Sequence, residues 1–157
     1  MCRSDIPPCM ILIDKEGRWF HKGLEMIHRE FIKLFYQNMK VDSRGRYVIT
    51  LAGDQCYVDV EDTPFVVWRT AVTDDDKTGP RFSLHLSDDS REDLDPYTLM
   101  VGAGNVLYCR VRNGAFPARF SRPAYYQLAE HIEEEKSVFY LTLKGQRYAI
   151  KIEKGET

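Results

Sequence analysis

Two stretches of alternating apolar and polar residues stand out along the chain. Residues 47–61 are YVITLAGDQCYVDVE and residues 139–153 are FYLTLKGQRYAIKIE. In both, apolar side chains recur at every second position on either side of a glycine, which is typical of half-buried β-strands joined by a tight turn. The pattern predicts two β-hairpins, one with Ala52-Gly53-Asp54 at its tip and one that turns at Gly145.

A further hairpin and a helix are predicted before the first of these stretches. The apolar residues 10–13 and the return stretch 18–21 flank the turn Lys15-Glu16-Gly17, which indicates a hairpin. The helix that follows is predicted from an apolar face at helical spacing. That face consists of Phe31, Leu34, Phe35 and Met39, and the helix is predicted to end at Asp42-Ser43-Arg44-Gly45.

The second half of the chain has the same order of elements. A strand over 106–111 is followed by Arg112-Asn113-Gly114 and a return strand, and Asn-Gly is a strong hairpin signal. Ser121 is a typical N-cap, and Pro123 fits the first turn of a helix. The apolar stripe of this helix is Tyr125, Leu128, Ala129 and Ile132, and residues 133–136 are expected to be its solvated end.

These patterns predict an α+β fold in which a strand–strand–helix–strand–strand unit occurs twice. Residues 65–72 and the alternating residues 82–86 predict further strands between the repeats, with a turn or linker over 74–80. We expect a first repeat unit over 1–72 and a second over 73–157, each with a curved antiparallel sheet packed on one helix. The alternative is that two unrelated glycine hairpins look alike.

Charge and cysteine content narrow the functional classes. The chain of 157 residues has a formal net charge of −2, which argues against general nucleic-acid binding because that requires a basic surface. None of the four cysteines has Cys-x-x-Cys spacing. Cys56 and Cys109 lie in apolar strand patterns and are expected to be reduced core thiols. The N-terminal residues have the pattern of neither a signal peptide nor a membrane span, so a cytoplasmic location is expected.

No metal or other cofactor is expected. The histidines lack the spacing of a metal site. They are His21, His28, His85 and His131.

Three short motifs carry a resemblance to a known family. They are DKEGRWFHKG at 14–23, VEDTPFVV at 60–67 and FSRPAYYQLAEH at 120–131. Together they resemble a bacterial family known as domain of unknown function 1285. The resemblance implies a duplicated α+β fold with a pleckstrin-homology-like second half, and a role in signal transduction with a nucleotide-like ligand between the halves. The matching positions are Trp19, His21, Gly23, Glu61, Asp62, Pro64, Phe65, Arg122, Pro123 and Tyr126.

The first motif offers one candidate binding group. Trp19 and His21 are two residues apart on a predicted strand, so their side chains point to the same face. With Gly23 beside them, a stacking ring, a hydrogen-bonding ring and close backbone approach could hold an aromatic base. The alternative is a tryptophan packed in the core beside a structural histidine.

Carboxylates and arginines form the other candidate groups. Glu61 and Asp62 could bind a ribose diol, a cation or a base edge, but we favour a role in which they bond a buried arginine and fix the joint between the halves. Arg29 and Arg122 each lie at a predicted helix start, where outward-pointing N–H groups and a guanidinium together bind anions.

Three functional hypotheses follow. The first is a sensor or adaptor in bacterial signal transduction that binds a small anionic, nucleotide-like ligand at the interface of the halves, with possible contacts to a signalling protein. The ligand-binding residues would be Trp19, His21, Gly23, Arg29, Glu61, Asp62, Phe65, Arg122 and Tyr126. The second is a protein-interaction module without a ligand, which an exposed apolar patch on an edge strand would favour. The third is a hydrolase that uses Glu61 or Asp62 with His21.

Overall fold

The computed structural model describes residues 6–75, 77 and 79–152. The chain forms two compact units, unit 1 over Met1–Pro64 and unit 2 over Phe65–Thr157. The sequence places the boundary between residues 72 and 73, a position within the strand Phe65–Asp75.

Unit 1 is a mixed sheet with one helix. Its elements are β1 Pro8–Ile13, β2 Trp19–His21, β3 Leu24–Glu25, α1 Arg29–Gln37, β4 Met39–Val41, β5 Tyr47–Leu51 and β6 Asp54–Val60. The strand order is β3-β2-β1-β6-β5-β4. Strand β1 runs parallel to β6, and the other neighbours are antiparallel.

Unit 2 contains two sheets and one helix within the described residues. Its elements are β7 Phe65–Asp75, β8 Gly79–Leu86, β9 Arg91–Asp93, β10 Met100–Val101, β11 Leu107–Val111, β12 Phe116–Phe120, α2 Arg122–Ala129, β13 Ile132–Glu135, β14 Val138–Leu143, β15 Gln146–Ala149 and β16 Lys151–Ile152. One sheet has the order β16-β10-β11-β12-β7-β8-β9, and the other has the order β13-β14-β15. Short 3₁₀ turns occupy Pro96–Thr98 and Ala103–Asn105.

Both glycine hairpins predicted from the alternating stretches are present. Leu51 pairs with Asp54, and Leu143 pairs with Gln146, so each loop has two residues. Both residues of each loop have positive φ, at 52° and 86° for Ala52-Gly53 and at 51° and 79° for Lys144-Gly145. Such turns match the right-handed twist of paired strands, and glycine tolerates the second position without strain.

The predicted α+β class is confirmed, but the expectation of purely antiparallel sheets is wrong. Parallel neighbours occur at β1–β6, β7–β12 and β10–β16. Each of these pairs joins strands distant in the chain, so local alternation carries no signal of their direction.

The buried face predicted for the first helix is also wrong. The buried residues of α1 are Ile32 and Tyr36, while Phe31 is 56% exposed. The helix ends at Gln37, and the next residues form β4. Asp42 lies in the turn between β4 and β5, where its Oδ1 accepts hydrogen bonds from the backbone N–H groups of Arg44 and Arg46 at 3.0 and 2.8 Å. These bonds stabilise a hairpin turn rather than a helix end.

Two other predicted segments differ in the structure. Residues 132–135 form strand β13, paired with β14, and do not belong to the end of the second helix. The hairpin of β7 and β8 extends to the pair Asp75 and Gly79, so most of the predicted linker at 74–80 is strand. The Ser121 cap is confirmed, because its Oγ accepts a hydrogen bond from the backbone N–H of Ala124 at 3.3 Å.

The prediction that Cys56 is a reduced core thiol is wrong. Cys9 and Cys56 form a disulfide that joins β1 to its parallel neighbour β6, with Cα atoms 4.9 Å apart. No local pattern in the sequence indicates this bond, because it depends on the pairing of β1 with β6, which are distant in the chain. Cys109 is a free, buried thiol as expected, and burial raises its pKa.

Candidate functional site

Trp19 belongs to the core of unit 1. Its indole is 1% exposed, lies against the rings of Phe35 and Tyr36, and donates from Nε1 to the Tyr36 hydroxyl at 3.1 Å. Tyr36 in turn donates to the backbone carbonyl of Pro64 at 2.8 Å. This buried chain of hydrogen bonds connects two of the motifs read from the sequence, Gly-x-Trp and Asp-Thr-Pro, and favours the structural interpretation of Trp19.

His21 and Gly23 lie at the edge of the same sheet. Both are exposed, and Lys22-Gly23 forms the two-residue turn between β2 and β3 with φ values of 51° and 83°. The His21 side chain makes no hydrogen bond or ion pair with a described residue. The turn itself explains why a glycine occupies position 23.

Glu61 fixes a turn within unit 1. Its Oε1 accepts a hydrogen bond from the backbone N–H of Lys15 at 2.8 Å, so it connects the end of β6 to the turn between β1 and β2. Asp62 follows it and is exposed. Neither carboxylate is hydrogen-bonded to His21, so the structure does not bring the acid–histidine pair of the hydrolase hypothesis together.

The remaining predicted ligand residues are spread over both units. Arg29 and Arg122 are the first residues of α1 and α2, as predicted. Phe65 is fully buried against the Phe116 ring, with the Arg112 guanidinium over its face. Tyr126 is 60% exposed on α2.

A cavity of about 500 Å³ lies within unit 2. Its wall is formed by residues of α2, of strands β10, β11, β13 and β14, and of the segments beside them. The lining residues are Val101, Asn105, Leu107, Tyr125, Ala129, Ile132, Glu134, Phe139 and Ile150. Leu107 and Ile150 are buried, whereas Val101, Tyr125 and Phe139 are half-buried.

Three of the described lining residues have polar side chains. They are Asn105, Tyr125 and Glu134. Within the part of the chain that the structure describes, none of the three has a hydrogen-bond or ion-pair partner. The described residues of the wall include no lysine, arginine or histidine. The cavity therefore combines apolar surface with unpaired polar groups, as small-molecule sites do.

The sequence could not have shown this cavity. Tyr125, Ala129 and Ile132 were expected to form an apolar helix stripe, but only the first two lie on α2, and Ile132 begins β13. Apolar periodicity indicates which residues are withdrawn from water but does not show whether they meet each other or enclose a space. The partial exposure of Val101 and Phe139 depends on strands distant in the chain.

No helix within the described residues has the length and apolar character needed to cross a bilayer. No group of three or more His, Cys, Asp or Glu side chains in that part of the chain is arranged to hold a metal ion.

The fold is similar to that of solved proteins. No family model and no curated protein matches the sequence. A DUF1285 family protein from Silicibacter pomeroyi DSS-3 is similar with a TM-score of 0.72 at 20% identity, over 94% of this chain and 84% of that one. A DUF1285 family protein from Shewanella baltica OS155 is similar with a TM-score of 0.62 at 16% identity, over 77% of this chain and 91% of that one. The resemblance read from the motifs is thus confirmed in structure, and the chain has the fold of DUF1285 family proteins.

Proposed function

We propose that the protein binds a small, mostly apolar molecule in the cavity of unit 2. The observation that carries this proposal is a volume of about 500 Å³ lined by largely apolar residues. Small-molecule sites commonly have volumes of about 300–1,000 Å³. The likeness to DUF1285 proteins adds no activity, since that name states an unknown function.

The exposure of the wall supports binding rather than a packing defect. Protein interiors are normally filled to the density of organic crystals. In unit 2, Val101, Tyr125 and Phe139 line the cavity and are only half-buried. A ligand that covers this surface gains roughly 25 cal/mol for each Å² of apolar area removed from water.

Titration with a fluorescent apolar probe tests the proposal. We expect naphthylethanol to bind the wild-type protein and to raise its melting temperature. The Ala129→Phe variant, which places a ring in the cavity, should fold and lose the probe. Ala149→Phe is the matched control, because Ala149 is exposed on β15 and lies outside the wall. Equal binding by wild type and Ala129→Phe, or no binding by wild type, would overturn the proposal.

A sensor or adaptor role in signalling remains a prediction from the resemblance, as does the small anionic ligand. The best support for an anion is Arg122, which is exposed at the first residue of the eight-residue helix α2. A nucleotide panel in a thermal-shift assay tests it, because a ligand that binds only the folded state raises stability. Stabilisation that Arg122→Gln abolishes would support this ligand, and no stabilisation at millimolar nucleotide would exclude it.

A protein-interaction module is the second candidate function. Strand β3 lies at the edge of its sheet, and Leu24 on that strand is 76% exposed. Ile27 and Phe31, which follow along the chain, are also exposed. Sedimentation of wild type and of a Leu24→Asp/Phe31→Asp variant over a range of concentrations tests self-association through this surface. If both proteins are monomers at every concentration, self-association through this surface is excluded.

We also infer a duplication, supported by the strand orders. In unit 1 the order is β3-β2-β1-β6-β5-β4. In unit 2, the neighbouring strands β12-β11-β10-β16 form part of one sheet. Ile150 connects β16 to β15 along the chain. Strand β15 pairs with β14, and β14 pairs with β13. This alignment matches β10 with β1 and Gly114 with Gly23, whereas the sequence pattern matched Gly114 with Gly17. A crystal structure in which the two six-strand sets do not superpose would contradict it.

The pleckstrin-homology likeness of the second half stays a prediction.

A further inference from the structure

We infer that the unit 2 cavity selects an organic cation, namely an amine with an aromatic or aliphatic body, and rejects anions of the same shape. This inference rests on the proposed function and specifies its ligand. The determining residue is Glu134, which among the described wall residues is the one acidic side chain, and none of those residues is basic.

The position of Glu134 on β13 directs it to the cavity. Alternate residues of a strand point to opposite faces, and Ile132 and Glu134 both line the cavity. Glu133 and Glu135 lie at the intervening positions, and Glu135 forms an ion pair with Arg147 at 2.9 Å. Glu134 has no such partner among the described residues, so its charge is available to a ligand.

The depth of the wall residues orients the ligand. Leu107 and Ile150 are buried and form apolar surface, while Glu134 and Asn105 are exposed. An apolar body therefore packs against Leu107 and Ile150, and its ammonium group lies near the Glu134 carboxylate. The same carboxylate repels a carboxylate or phosphate ligand, and no described wall residue supplies a cation to compensate for it.

Three probes with the same ring system separate these effects. Naphthylethylamine, naphthylethanol and naphthylacetic acid carry a positive, neutral and negative group at neutral pH. We expect wild type to bind the amine about threefold more tightly than the alcohol, since an exposed ion pair is weak, and to bind the acid least. Glu134→Gln should remove the preference of the amine over the alcohol and improve binding of the acid.

Glu133→Gln is the matched control, because it makes the same charge change at a position that does not line the cavity. It should keep the wild-type order of the three probes. The preference for the amine should also shrink as salt rises, since screening weakens exposed charge interactions. Equal affinity for the three probes, or the same response to both variants, would overturn this inference and leave the proposed function standing. Failure of all three probes to bind would overturn the proposed function itself.

Discussion

At the scale of single residues, the buried hydroxyl of Tyr36 is hydrogen-bonded to two other groups of unit 1. The Tyr36 hydroxyl accepts from Trp19 and donates to the Pro64 carbonyl. A buried donor or acceptor that loses its partner costs about 1–3 kcal/mol. Trp19 therefore has a structural reason to occupy its position that is independent of any ligand.

Tyr36→Phe should destabilise unit 1 without removing its core ring. The substitution leaves the Trp19 indole N–H and the Pro64 carbonyl without their partner, so we expect a loss of about 2 kcal/mol in the free energy of unfolding. Urea denaturation measures it. Tyr126→Phe removes the same oxygen from an exposed ring and should change stability little. Equal effects of the two substitutions would show that the buried bonds contribute nothing.

Asp88 is the second residue with a testable structural role. Burial raises its pKa, but hydrogen bonds from Ser90 and Arg112 outweigh that effect, so the net pKa is lowered. A carboxyl group whose pKa is lower in the folded state stabilises the protein above its unfolded pKa of about 4. That contribution is lost as pH falls through the folded value.

Asp88→Asn should therefore destabilise the protein at pH 7 by about 2 kcal/mol, the range for hydrogen bonds to a charged group. The difference from wild type should shrink as pH falls below about 4, where the unfolded-state carboxyl is protonated. Thermal unfolding over this pH range measures both. Asp93→Asn is the control, since the Asp93 side chain is exposed and its Oδ1 lies 3.9 Å from Nη2 of Arg81, too far for a strong hydrogen bond. A difference between Asp88→Asn and wild type that is constant with pH would contradict the assignment.

At the scale of elements, local signals predicted the hairpins well and the packing poorly. Glycine turns at 53, 114 and 145 were found because the conformation of a tight turn depends on the residues within it. The buried face of α1 was not predicted correctly, because the burial of Ile32 and Tyr36 depends on how the helix packs against the rest of unit 1. The sequence pattern predicts a helix end at Asp42, but the structure places Asp42 in a hairpin turn. Asp14 and Asp42 occupy the same position in two similar turns, Asp14–Arg18 and Asp42–Arg46.

The disulfide is the element-scale feature that the sequence did not show. It closes a loop between residues 47 apart in the chain. On the chain-entropy estimate, such a closure stabilises the folded state by about 4 kcal/mol. Cys9→Ala/Cys56→Ala should therefore lower the unfolding free energy by an amount of that order, measured by urea denaturation under non-reducing conditions.

Peptide mapping without reduction checks the bond directly, because it should recover the peptides of Cys9 and Cys56 linked together. Cys109→Ala removes a buried thiol of β11 and serves as a cysteine substitution outside the bond. Unlinked peptides from protein purified under oxidising conditions would contradict the pairing. The cytoplasmic location expected from the N-terminal residues stays a prediction. The Cys9–Cys56 disulfide counts against it, because structural disulfides are typical of oxidising compartments.

At the scale of the whole molecule, the two units carry different features. The disulfide and the bonds of Trp19, Tyr36 and Pro64 lie in unit 1, and the cavity lies in unit 2. Trp19 and Pro64 belong to motifs read from the sequence, because glycine, tryptophan and proline carry recognisable turn and packing signals. The cavity is made of ordinary apolar residues, so only the three-dimensional arrangement reveals it.

Breaking the disulfide should loosen unit 1 more than unit 2. Both cysteines lie in unit 1, and cooperative units of a protein open with their own free energies. Hydrogen exchange of oxidised and reduced wild type should show loss of amide protection in β1, β5 and β6, with smaller changes in β7, β8 and β11. Cys109→Ala, which leaves a gap in β11, should give the reverse distribution. If both changes lower protection equally throughout the described residues, the chain unfolds as one cooperative unit, and ligand binding in unit 2 would then depend on the redox state of unit 1.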